Sequence, residues 1–345
     1  MAQLVMVEGL PGSGKTTASG FINSWLADRH VPVHHFPEGR TDHPVDLEQV
    51  AVLTGQQLER LRSDLPDEAD DLTAAAERVD DLWLVRDRER PGWSDRLKDR
   101  LRELDSYDGT VTHDVHTRVL LDSWQRFAEH RAREAGVFLF ECVLIQNPMC
   151  ALLARFDRPE AAVEAHIRRL ADLTAGMDPL LVYLDAGDPA TVLEAAAAER
   201  PAEWLELVIG YHTEQGYGLA RGLRGFDGLV EFMRHRRELE LDLLPRLPVT
   251  TFTSDVSDGD WDRHRAALAA FLEDHVDHVD PRSWRRPPGS SPRAPVSARA
   301  PGSPTPAGSS SSRPRQPTAP RSGRRRRHRA AAPCRLTRSA AAPRS

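Results

Sequence analysis

The chain has 345 residues, 40% of them hydrophobic, which suits a globular body with a buried core in one large or two small domains. Its formal net charge of −6 describes neither end: from Pro281 onward there are 16 arginines and no acid, so residues 1–280 keep 46 − 16 = 30 basic groups against 52 acids, a balance of −22. So acidic a body repels a phosphate backbone, which disfavours nucleic acid as its main ligand while leaving room for one small anion in a local pocket.

Three cysteines (Cys142, Cys150, Cys334) make no disulfide framework and no zinc spacing, so the cytoplasm is the expected compartment. No apolar run is long enough to cross a bilayer, and "MAQLVMVEGL" has no basic leader, so no membrane association is expected.

Taken in chain order, Leu4 to Val7 is a short apolar run that ends in "GLPGSGKTT", followed by Phe21, Ile22, Trp25 and Leu26 at helical spacing. Strand, loop and helix are therefore expected in that order. Val31 to Phe36 reads as a second strand that stops at "PEG". The long stretch from about 40 to 135 contains acidic helical text, "DLPDEADDLTAAAERVDDLWLV", and then an amphipathic "HTRVLLDSWQRFAEHRAREAG", so it is expected to be a helical insertion. Its Trp83 and Trp93 either fill the core or line a pocket.

Val137 to Ile145, "VFLFECVLI", is a continuous apolar run expected of a strand buried on both faces of a parallel sheet. Leu180 to Leu184 and Val249 to Thr253 complete five strands, with helical patterns between them. The alternation predicts an α/β fold, a three-layer sandwich with a five-stranded parallel sheet, over residues 1–280. Residues 281–345, rich in Pro, Ser, Ala and Arg, have too little apolar surface to offset the entropy of ordering and are expected to be a disordered tail. The run "GRRRRHR" admits nucleic acid or an acidic partner, or is a plain flexible extension.

Gly9 to Thr16 fits G-x-x-x-x-G-K-[ST], the pattern in which backbone N–H groups cradle phosphates, a lysine reaches the outer ones and a hydroxyl ligates Mg²⁺. Lys15 is one of two lysines in an arginine-rich chain, and a compact ammonium on a flexible stem is what reaches between phosphates. Gly9, Gly12, Ser13, Gly14, Lys15, Thr16 and Thr17 are the expected nucleotide-binding residues, with ATP and Mg²⁺ as ligands. Glu38, after the second strand, is either a general base for an attacking hydroxyl or a solvent-exposed turn residue. Glu141 places a carboxylate in an apolar strand, which demands a partner: Mg²⁺ or its water shell, or a structural salt bridge.

A phosphate loop after the first strand, a Glu after the second, an acid in the third and then "YLDAGDPATVLEAAAAER" together resemble the P-loop NTPase kinases of nucleosides and nucleotides, the deoxynucleoside kinase and thymidylate kinase group, and P-loop proteins of actinobacterial type. The likeness covers most of residues 1–275. It implies that Glu38 serves the acceptor as base or binding residue, that Thr16 and Glu141 hold the metal, and that a lid arginine stands after the fourth strand. Arg200 is the nearest match, with Arg221 and Arg224 as substitutes. In that group an arginine follows the acid of the third strand; here Cys142 takes its place. The loop "TSDVSDGDWDRH" is similar to the stretch that packs against adenine, and equally reads as a helix cap through Ser257 or Asp258.

The expected function is ATP-dependent phosphoryl transfer to a small acceptor: a nucleoside, a nucleotide or an antibiotic-like metabolite. Lys15, Glu38, Glu141 and Arg200 are the expected catalytic residues. The alternative is a nucleotide-binding switch or ATPase whose output is read by a macromolecular partner. The absence of an N-K-x-D motif disfavours a GTPase.

Overall fold

The computed structural model describes residues 2–276; the expected tail, 281–345, lies outside them. The elements run β1 (Gln3–Gly9), α1 (Lys15–Asp28), β2 (Val33–Phe36), β3 (Ala51–Thr54), α2 (Gly55–Asp64), α3 (Ala69–Ala75), β4 (Ala76–Val79), β5 (Leu82–Val85), α4 (Asp95–Arg102) and α5 (His113–Arg131). They continue with β6 (Val137–Glu141), a short α6 (Gln146–Pro148) opening into a π-helical turn (Met149–Arg155), α7 (Glu160–Leu173), β7 (Leu180–Asp185), α8 (Pro189–Glu199), α9 (Ala202–Thr213), α10 (Gly216–Arg221), α11 (Gly225–Leu243), β8 (Thr250–Asp255) and α12 (Trp261–His275).

The main sheet has five strands in the order β2-β6-β1-β7-β8, every pair parallel. β1 is central and wholly buried, which is why its text is apolar on both faces. Leu4, Met6, Phe138, Phe140, Leu181 and Tyr183 belong to the larger core, on the side of α5, α7 and α11. Val5, Val7, Leu139, Val182 and Leu184 pack on the other side with Ile22, Trp25 and Leu26 of α1 and Leu268 and Leu272 of α12. Helices on both faces of a parallel sheet put the ligand edge at the carboxyl ends of the strands.

The segment between β2 and α5 departs from the helical expectation. It carries α2 to α5, but also an antiparallel sheet in the order β3-β5-β4. Val79 pairs with Leu82 across the turn Asp80–Asp81, with Asp80 in the left-handed region at φ 54. One face of this sheet gives Ala51, Leu53 and Val85 to a small core with Leu58, Leu61, Trp93, Leu97 and Leu101, while Val52, Leu82 and Leu84 join the main core. Pairing with β5, with Ala76 against the small core and Val79 in the main one, overrides the helix propensity of "AAAER". Trp93 fills this small core, with Trp83 packed against it.

The run "VFLFECVLI" is strand only as far as Glu141. Cys142 takes φ 69, uncommon for a residue with a side chain, and its N–H donates to the Val7 carbonyl at 3.1 Å. The chain there leaves the sheet and turns into α6.

Candidate active site

Gly9 ends β1 at φ 145, where a Cβ would press on the Leu184 carbonyl and on Ser13 Oγ, so only glycine lets the loop turn at this point. Gly14 has φ 87, and a Cβ on it would fall inside the ring of Trp261, which opens α12. Gly12 lies at the exposed tip beside Val192 and Ala196 of α8. α1 starts at Lys15, so its unpaired N–H groups and positive dipole end face the hollow of the loop. The Lys15 ammonium folds back across that hollow and donates to the carbonyls of Gly9 and Leu10, each at 3.0 Å. Ser13 Oγ is buried there without a partner; Thr16 and Thr17 are exposed at the mouth.

Glu141 meets this loop from the neighbouring strand. Its Oε2 accepts from Thr16 Oγ1 at 3.2 Å, its Oε1 accepts from Ser19 Oγ, and His35 Nε2 stands 3.7 Å away. Burial pushes the carboxyl up, but the nearby His35 imidazole, the hydrogen bond from Ser19 and the charge of Lys15 outweigh it, and the group is held below its ordinary value. It is therefore an ionised carboxylate beside two hydroxyls, and hard oxygen donors of this kind suit Mg²⁺. Its partners are two hydroxyls, with the His35 imidazole close enough for an ion pair when protonated.

Across the loop, Glu38 accepts from Gln146 Nε2 at 2.8 Å. Asn147, the next residue, donates through Nδ2 to Asp46 Oδ1 at 3.1 Å. Arg200 caps the end of α8, with its guanidinium 4.2 Å from the Trp204 ring centre and Nη1 buried without a partner. Burial lowers the affinity of Arg200 for its proton, and the Glu38 charge opposes this, so the two groups lie within electrostatic reach. Arg221 instead pairs with Asp157 at 2.8 Å and covers Tyr217, and Arg224 is exposed ahead of α11. The cap of α12 is Asp260, accepting from Arg263 N at 3.2 Å, rather than Ser257 or Asp258.

Glu8 and Gln146, which sequence reasoning passed over, hold this arrangement. Glu8, fully buried on β1, accepts from the N–H groups of Leu144, Ile145 and Gln146 at 2.7, 3.1 and 3.0 Å. It thereby pins the turn that carries Gln146. A glutamate inside an apolar strand beside a glycine loop was a signal of the same kind as Glu141, and could have been read.

The strand order, with the glycine loop at the end of the central strand and a helix springing from it, defines the three-layer P-loop NTPase fold. No family model matches the chain, and no curated protein matches it. Among solved structures it is similar to a thymidylate kinase from Candida albicans, at 11% identity over 80% of this chain and 93% of that one, with a TM-score of 0.36.

Proposed function

We propose that the protein transfers the γ-phosphoryl group of ATP to a hydroxyl of a small acceptor. One observation carries this reading: Lys15, Thr16 and Glu141 converge on the loop, while Glu38 lies within electrostatic reach of Arg200. The loop N–H groups and Lys15 bind the polyphosphate. Thr16 and Glu141 would hold Mg²⁺, which when bound neutralises charge on the phosphoryl oxygens. Glu38 takes the proton of the acceptor hydroxyl, whose oxygen bonds to the γ-phosphorus as the bond to the bridging oxygen breaks and ADP leaves with its electron pair. Arg200, with unspent donors, stabilises the charge spread over the transferred group.

The test is ADP release from Mg²⁺-ATP across nucleosides, nucleotides and amino sugars, with and without Glu38→Gln. A kinase responds to particular acceptors and loses that response, about a hundredfold or more, in the variant. Slow hydrolysis indifferent to every small molecule would leave the ATPase or switch instead.

A further inference from the structure

On the acceptor side of the loop, the hydrogen-bonding capacity left on the turn after β6 is an acceptor's. Gln146 is 5% exposed, and its Nε2 donates to Glu38. The carboxylate fixes which way the amide points, because the flipped amide would set two acceptors face to face. Gln146 Oε1 is then buried with no partner, adjacent to the Glu38 carboxylate. A buried carbonyl of this kind calls for a donor.

The charges nearby run against an anion. Cys142, where the resembling kinases carry arginine, is 1% exposed and brings no cation. Lys15 is turned to the loop carbonyls, and Arg200 is the guanidinium that feels Glu38. Asp46 is 3% exposed, and burial, with the Glu38 charge adding to it, raises its carboxyl above the ordinary range. A second phosphate here would meet Glu38 and Asp46 with Arg200 already needed by the transferred group.

We propose that the acceptor carries no phosphate and presents two neighbouring hydrogen-bond donors, the hydroxyl that reacts at Glu38 and a second O–H or N–H held by Gln146 Oε1. That is the chemistry of a vicinal diol or an amino alcohol. The proposal rests on the kinase reading above and adds Gln146 as the residue that sets specificity.

The experiment follows ADP release from Mg²⁺-ATP by the full chain with three acceptor sets at equal concentration: amino sugars and ribonucleosides, their deoxy or deaminated counterparts lacking the second donor, and 2′-deoxynucleoside monophosphates. The first set is expected to accelerate release at least tenfold, the second to lose most of that gain, and the third to give none. Gln146→Met is expected to raise KM about tenfold for an intact acceptor while changing the KM of its deoxy counterpart little. A merely structural role would shift both alike. Acceleration by the monophosphates, equal rates with the deoxy counterparts, or a uniform effect of Gln146→Met would overturn this proposal and leave the kinase reading standing. No acceleration by any set, with ATP binding intact by calorimetry, would overturn both.

Discussion

Glu8 makes the folded state sensitive to pH in a direction opposite to most carboxylates. It is fully buried, and burial lifts its carboxyl from 4.5 to about 7 against the pull of three backbone N–H bonds, with the charge of Glu240 adding to the rise. Between those two values the folded chain keeps a proton that the unfolded chain has released. Stability is therefore full below the unfolded value, falls as pH rises through the interval, and levels off above about 7. At about 1.4 kcal/mol per pH unit, the interval corresponds to a loss of about 3 kcal/mol. The perturbation is Glu8→Gln, which cannot titrate, so subtracting its pH profile removes the histidines and other acids common to both proteins. Urea unfolding of both at pH 4 and pH 8 is the assay. The stability of the parent relative to the variant should drop by about 3 kcal/mol between the two. A difference that stays level would refute the reasoning, showing that the N–H groups of Leu144, Ile145 and Gln146 keep Glu8 as acidic in the fold as in the unfolded chain.

Lys15→Ala should weaken ATP binding by at least a hundredfold in calorimetry, about 3 kcal/mol, and unchanged affinity would take the loop out of the site. Gly14→Ala puts a methyl group into the Trp261 ring at a left-handed backbone position and should cost about 2–4 kcal/mol in urea unfolding, partly restored by Trp261→Ala. Arg236 and Glu240, both fully buried, are paired at 2.5 Å, and Tyr183 donates to the second carboxylate oxygen at 2.7 Å. Arg236→Met should therefore destabilise by about 3–5 kcal/mol by stranding a buried charge, and adding Glu240→Gln should recover part of it.

The glycine loop and the three inner strands β6, β1 and β7 are legible in the sequence because each is dictated locally: φ above zero and close backbone approach demand glycine, and two-sided burial demands an unbroken apolar run. β4 is not legible. "AERV" has the composition of a helix and two exposed middle residues, and only its non-local pairing with β5, with Ala76 against one core and Val79 in the other, makes it a strand. Arg200 is half legible, since its place after β7 and α8 is visible in element order while its stacking on Trp204 and its reach to Glu38 are not.

Cys142 shows why the acceptor side in particular escapes a sequence reading. Read as text it is one more apolar residue in "VFLFECVLI", and set beside the kinases that the sequence resembles it stands where they carry an arginine. In the fold it is a corner: its left-handed backbone ends β6, its N–H is taken by Val7, and its carbonyl accepts from Asn147 at 2.9 Å. The corner swings the next residues back over β1, where Glu8 can receive three N–H groups and Gln146 can reach Glu38. The side chain on this corner is buried to 1%, within electrostatic reach of Glu38, Lys15, Glu8 and Glu141. The turn that starts at Cys142 thus brings Gln146 to Glu38 and leaves the Gln146 Oε1 carbonyl as a buried acceptor.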